Sequence, residues 1–358
     1  AEAFTPLGGK SRLLVTTRDD DVLEKIQAQP FRLAQLSPEK SLSLLAGITR
    51  QRAETLPAEA GDLARECGRL PLALTLVGRL IRGGRLTWKG ALERLRNMDI
   101  GPLAGPALEH EHPGVLAALQ LSVEELSNME KGAFLDCAVF PENVAIPESA
   151  LMTLWSNRSS HPKELAHLAQ QLVNRSLLQR DGPDRFRIQN LFHDYLRATC
   201  ANPPALHRGL LRAYAGRCPR GWPSGPDDGY FFQRLLYHLA QAGETRTLRA
   251  LLLDYDWIAA RLKAGGVSAV LGDYEAAADD DEDLRLVRRT LNLSAPLLAL
   301  DPDSLASELI SHLHDSGRED IDVLVAKAAQ ALGASPLQAE EALPPPPGGP
   351  LIQTLKGH

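Results

Sequence analysis

A mainly α chain built from several units is what this sequence predicts, and three observations predict it. Aromatic residues make up 5% of the 358 residues while the hydrophobic set makes up 44%, a balance that favours Leu- and Ala-rich helical packing. Most of the second half reads as short one-sided segments with Leu-rich faces, such as 283–299 and 319–332, the pattern of amphipathic helices. Strand-like runs are few and only four or five residues long, at 13–17, 33–36, 177–180 and 185–189. A chain of this length is expected to form two to four compact units.

Composition removes several classes of function. The net charge of -6 offers no chain-wide attraction to nucleic acid or anionic lipid. The cysteines Cys67, Cys137, Cys200 and Cys218 lie far apart with no C-x-x-C pair, so neither a zinc site nor a disulfide framework is expected, and a reducing cytoplasmic setting fits. No run approaches 18 apolar residues, and the opening AEAFTPLGGKS lacks the basic start and apolar core of a signal peptide, so no membrane span and no secretion are expected. Thirty arginines against nine lysines suit a GC-rich, bacterial gene.

Taken in order, Leu13–Thr17 reads as a buried strand ending in a polar tip at Thr16, Thr17 and Arg18, as at the carboxyl edge of a parallel sheet. Gly9-Lys10-Ser11 is not a phosphate-binding loop. That motif needs glycine where Phe4 stands, a strand before it and a helix after it. Leu33–Leu36 suggests a second short strand, and Ser37-Pro38 opens a helix as cap and first residue. Helices are expected over 39–48, 57–67, 71–82 and 88–96. Between the second and third, Gly68 suits a left-handed helix end and Pro71 a helix start, which makes Cys67–Leu74 an apolar corner.

The Gly-, Pro- and His-rich stretch 97–113 reads as a loop, and His110, Glu111 and His112 within it as solvated side chains. Helices follow at 115–124, 127–137, 147–155 and 163–174, then two strands at 177–180 and 185–189 joined by Asp181-Gly182-Pro183-Asp184. Helices with a two-stranded wing make a winged helix. Its third helix presents only Lys163 against Glu164 among polar side chains, a poor neutraliser of phosphates, so nucleic acid is an unlikely partner. Beyond the wing, Asn190 is placed to cap a helix whose first turn carries Phe192, His193 and Asp194. The dipole there favours Asp194, disfavours a protonated His193 and leaves amides able to hold an anion. A packed or capping histidine is the alternative role for His193.

Residues 203–335 read as an α-helical array with segments at 203–217, 230–241, 244–253, 255–264, 266–277, 283–299, 302–314 and 319–332. Asp279–Asp283 lacks the glycine and spaced ligands of a calcium loop and reads as an acidic loop or helix start. Pro344–Pro347 is a stiff linker, and Thr354–His358 resembles the opening of a WD propeller repeat.

In their order, the VTTR strand end, the GLPL-like corner, the winged helix closing in an MHD-like Phe192-His193-Asp194, the helical array and the propeller start resemble the C-terminal part of an NB-ARC module. Such modules are the STAND-class nucleotide switches of plant resistance proteins and apoptotic protease-activating factors, and the chain resembles bacterial relatives that carry WD repeats. The resemblance implies five parts. Residues 1–36 end a nucleotide-binding α/β domain and contribute its remnant strands; 37–100 form a helical bundle; 114–200 form the winged helix; 203–335 form a second helical domain; 336–358 are the linker and propeller start. It also implies ADP or ATP with magnesium as cofactor, Arg18 as a sensor of the terminal phosphate, Leu70 and Pro71 at the adenine, and His193 on the β-phosphate. Arg69 stands where GLPL has glycine and Phe192 where MHD has methionine. The phosphate-binding loop and magnesium site are expected upstream of residue 1, so the chain is expected not to be an enzyme. It is expected to couple an upstream nucleotide domain to a propeller and to self-associate on activation. A winged-helix transcription regulator and a helical adaptor stay open as alternatives from the residues alone.

Overall fold

The computed structural model describes residues 14–15, 25–26, 29, 31, 33–98, 113–275, 277 and 281–333. Arg18, most of the 13–17 strand, His110, Glu111, His112 and the 336–358 segment lie outside the described residues. The described residues are mostly helical, at 69%, with a small three-stranded sheet.

Helices α1 (Pro38–Thr49), α2 (Glu59–Glu66), α3 (Pro71–Arg82) and α4 (Trp88–Arg96) form the first group. Local chemistry sets their ends: Ser37 accepts from the Lys40 amide, Thr87 accepts from the Gly90 amide, and Pro38 and Pro71 occupy first-turn positions where a missing N–H costs nothing. Leu33–Leu36 is irregular and largely exposed, which corrects the expected second strand. The amide of Leu36 goes to the Arg69 carbonyl at 3.1 Å, so this segment is tied to a helical corner and joins no ladder among the described residues.

Next come α5 (Pro113–Glu124), α6 (Asn128–Asp136), α7 (Glu148–Leu154), α8 (Pro162–Asn174) and α9 (Asn190–Thr199). α5 packs on α3 and α4. Ser127 and Glu130 close a reciprocal capping box at the start of α6. Strands β1 (Ile146–Pro147), β2 (Gln179–Arg180) and β3 (Arg185–Arg187) form an antiparallel sheet of order β1-β3-β2, with Ile146 opposite Phe186 and Gln179 opposite Arg187. The sheet thus has one strand more than expected. A two-residue strand ending in proline carries no periodic signal, and Pro147 is tolerated because it ends an edge strand.

The remaining helices are α10 (Pro203–Ala215), α11 (Phe231–Ala242), α12 (Thr245–Leu252), α13 (Tyr255–Glu275), α14 (Glu282–Leu293), α15 (Ala295–Leu300), α16 (Leu305–Leu313) and α17 (Glu319–Ala331). Two expected segments, 255–264 and 266–277, run together as α13 and kink at Gly266, whose φ of 75° only glycine adopts without strain. The expected 283–299 helix breaks at Ser294, because Pro296 has no N–H to continue the ladder. Asp281 caps α14 and, with Asp283 and Asp320, holds the Arg249 guanidinium at 2.5–2.7 Å. At Asp281 and Asp283 the acidic run therefore starts a helix and pairs with arginine.

Burial is divided between two cores. One is continuous from Leu45 to Trp257 and takes in α1–α11; the other runs from Leu252 to Ala329. No helix among the described residues is long and apolar enough to cross a membrane.

Candidate functional site

Two successive left-handed residues make the corner between α2 and α3: Gly68 at φ 60° and Arg69 at φ 52°. Their amides close back on Arg65 and Ala64, and Leu70 is extended before Pro71 opens α3. The corner is closely covered. A Cβ on Gly114, at the start of α5, would sit 2.4 Å from the Glu66 carbonyl oxygen, so only glycine brings Val115 against the corner. Arg69 takes a conformation that costs an L-residue about 1–2 kcal/mol, partly offset in glycine by the entropy it loses on folding. Arg69→Gly is therefore expected to raise stability by about 0.5–1 kcal/mol, read as a higher urea midpoint; a lower midpoint would show that the Arg69 side chain contributes more than its backbone costs.

Opposite the corner stands the start of α9. The helix is entered through extended Gln189, and no side chain caps it. This corrects the expectation for Asn190, which is already in the first turn. Leu70, Pro71, Leu72 and Val115 on one side and Gln189, Asn190 and Leu191 on the other enclose a cleft of about 500 Å³. A second, more polar cleft of about 570 Å³ shares Pro71, Leu72 and Gln189 with it and adds Thr75, Arg79, Ser176, Gln179 and Arg180.

His193 follows Asn190 by three positions, so the two are neighbours on one helix face, and His193 is not among the residues that line either cleft. It is 2% exposed and its Nδ1 is buried without a hydrogen-bond partner among the described residues. Burial lowers its pKa; Glu142 opposes that shift and Arg197 adds to it, and those two form an ion pair at 2.5 Å. The ring is thus held neutral with one hydrogen-bonding atom unmatched. Phe192 packs edge-on against Phe134 at 6.4 Å between centroids.

The structure brings together Leu70, Pro71 and the first turn of α9, sets His193 just behind that turn, and does not describe Arg18. Thr75 and Arg79 were missed as lining residues. Their spacing from Pro71, at i+4 and i+8 on one face of α3, is the signal that finds them. The apolar side of the first cleft, Leu70, Pro71, Leu72, Val115 and Leu191, suits a planar apolar group. Among the described residues neither cleft is lined by a carboxylate, so a magnesium ion would need ligands from outside these residues.

Comparison with known proteins places the chain among similar sequences. Residues 204–293, spanning α10 to α14, match the family described as the APAF-1 helical domain. The apoptotic protease-activating factor 1 of Homo sapiens is 26% identical over 273 residues, covering 74% of this chain and 22% of that protein. The factor of the same name from Rattus norvegicus is 27% identical over 272 residues with the same coverage. A putative disease resistance protein, RGA4, of Solanum bulbocastanum is 30% identical over 203 residues, 51% of this chain and 19% of that protein. The chain spans about a fifth of the length of these curated relatives. These similarities support an NB-ARC-type C-terminal region.

Proposed function

We propose that this chain is the regulatory part of an ADP/ATP-dependent switch, with Leu70 and Pro71 against the adenine, His193 toward the β-phosphate and Arg18 sensing the terminal phosphate. Residues 114–200 act as a winged helix that closes over the nucleotide, and 203–335 link it to a WD propeller that senses the stimulus. Magnesium and the phosphate-binding loop belong to an upstream nucleotide-binding unit of the same polypeptide, so the chain itself does not hydrolyse ATP. The intact protein is bacterial and cytoplasmic and self-associates on activation.

The cleft carries this proposal: Leu70 and Pro71 face the first turn of the helix that bears a buried, neutral and unmatched His193. ADP biases the switch by binding the closed form better than the open one, since only differential affinity shifts populations. A nucleic-acid function is not favoured, because Arg180 on β2 is engaged with the Pro183 carbonyl and Gln170 at 3.1 Å each.

Two measurements test the proposal. Calorimetric titration of the 358-residue chain is expected to show no micromolar ADP binding; a dissociation constant of about 1 mM would make 1 mM ADP worth only about 0.4 kcal/mol. In a polypeptide carrying the phosphate-binding loop, His193→Ala is expected to speed ADP release by about tenfold or more, the loss of one hydrogen bond to a charged group. An unchanged release rate would remove His193 from the latch.

A further inference from the structure

The two walls of the polar cleft come from segments about a hundred residues apart in sequence, and one side chain spans them. Arg79, on α3, donates from Nη1 to the Val173 carbonyl at 2.9 Å and also to the Asn174 carbonyl. Those carbonyls end α8, where intrahelical donors run out and the helix dipole is negative. α8 has no basic residue in its own last turn. Arg175, which follows, directs its guanidinium to Glu130 at 2.8 Å, so Arg79 supplies a cation that α8 does not. Arg79 and Val173 also line the cleft, with Thr75 on one side and Gln179 on the other.

We propose that Arg79 is a clamp that ties the two walls of the polar cleft together and sets their spacing. Its meaning for switching rests on the nucleotide reading of the cleft; the clamp itself does not. Both bonds leave one nitrogen, Nη1, at the tip of the long arginine stem, so the shorter lysine side chain, with its compact ammonium, keeps only part of the clamp. The clamp draws on the end of a helix, so its loss loosens the α8 terminus before it loosens the rest of the chain.

The test uses the 358-residue chain without nucleotide, as wild type, Arg79→Ala and Arg79→Lys. Amide exchange is followed at Leu177 and Leu178, which bond the Leu172 carbonyl at the α8 terminus. In parallel, a Thr75→Cys, Gln179→Cys pair is cross-linked across the cleft. Arg79→Ala is expected to speed exchange at both amides by about tenfold and to lower the cross-linking yield at least about threefold. Exchange in α14 to α17 stays unchanged, and Arg79→Lys falls between. Unchanged exchange and yield in Arg79→Ala, or acceleration spread evenly over all helices, would overturn the clamp. Should Arg79→Ala fail to fold, wild type against Arg79→Lys decides on the same two readouts. ADP enters none of these measurements, so failure of the clamp and failure of the nucleotide proposal are distinguishable.

Discussion

Replacing Trp155 by alanine is expected to destabilise the chain by about 3–5 kcal/mol. Trp155 is fully buried at the end of α7, and its indole N–H donates to the Ala133 carbonyl of α6 at 3.0 Å. The substitution removes the largest type of side chain from the first core and leaves a cavity that packed neighbours fill only in part. It also strips a buried carbonyl of one donor. Because the second core, Leu252 to Ala329, meets the first through partly buried residues such as Leu236 and Leu248, far from Trp155 in sequence, the loss should fall chiefly on the first. Urea unfolding followed by tryptophan-independent probes in each core is the measurement. A change below about 1 kcal/mol would mean that α6 and α7 repack freely around the gap.

Acid is expected to weaken the joint between α10 and α11. His207 and His238 meet Nδ1 to Nδ1 at 2.8 Å, and Nε2 of His238 lies 2.8 Å from the Tyr230 hydroxyl. All three side chains are buried, at 4%, 2% and 1% exposure. A contact between two Nδ1 atoms needs a proton on one and a lone pair on the other, so two imidazolium rings would set N–H against N–H. Burial pushes the His207 pKa down to about 4. His238 is lowered by burial first, then by His207 and Arg234, and the Tyr237 ring packs against both histidines. The unfolded chain takes up these protons near pH 6.5 and the folded chain does not. The stability is therefore whole above pH 6.5 and falls as pH drops from 6.5 toward 4. His207 alone accounts for on the order of 2 kcal/mol of that loss. His207→Gln should flatten the stability profile across this window relative to wild type; parallel profiles would show that the pair does not titrate with folding.

Much of the local structure is legible in the sequence for identifiable reasons. Helices 71–82 and 88–96 have the expected limits because Pro71, Thr87 and the Gly83-Gly84 pair act within one turn of their own positions. The Asp181–Asp184 turn is similarly local, and its Gly182 takes φ 99°. The misses share a different cause. β1 exists because Phe186 and Arg185 lie beside Ile146 and Pro147, about forty residues away in sequence, and nothing in a two-residue run announces its partner. Leu33–Leu36 looked like a strand because its residues are apolar, yet no neighbouring strand among the described residues takes up its backbone groups.

By itself, then, the sequence determined the helical class, most element limits, and the corner and helix start that make a nucleotide switch the natural comparison. These depend on backbone propensities and caps, which act over a few residues. Only the tertiary structure decided that Leu70 and Pro71 share a cleft with Leu191, that His193 sits behind it with an unmatched nitrogen, and that Arg79 ties α3 to the end of α8. Those facts rest on contacts between segments far apart in the chain, where side-chain volume and unsatisfied carbonyls select the partner and local sequence carries no record of the choice.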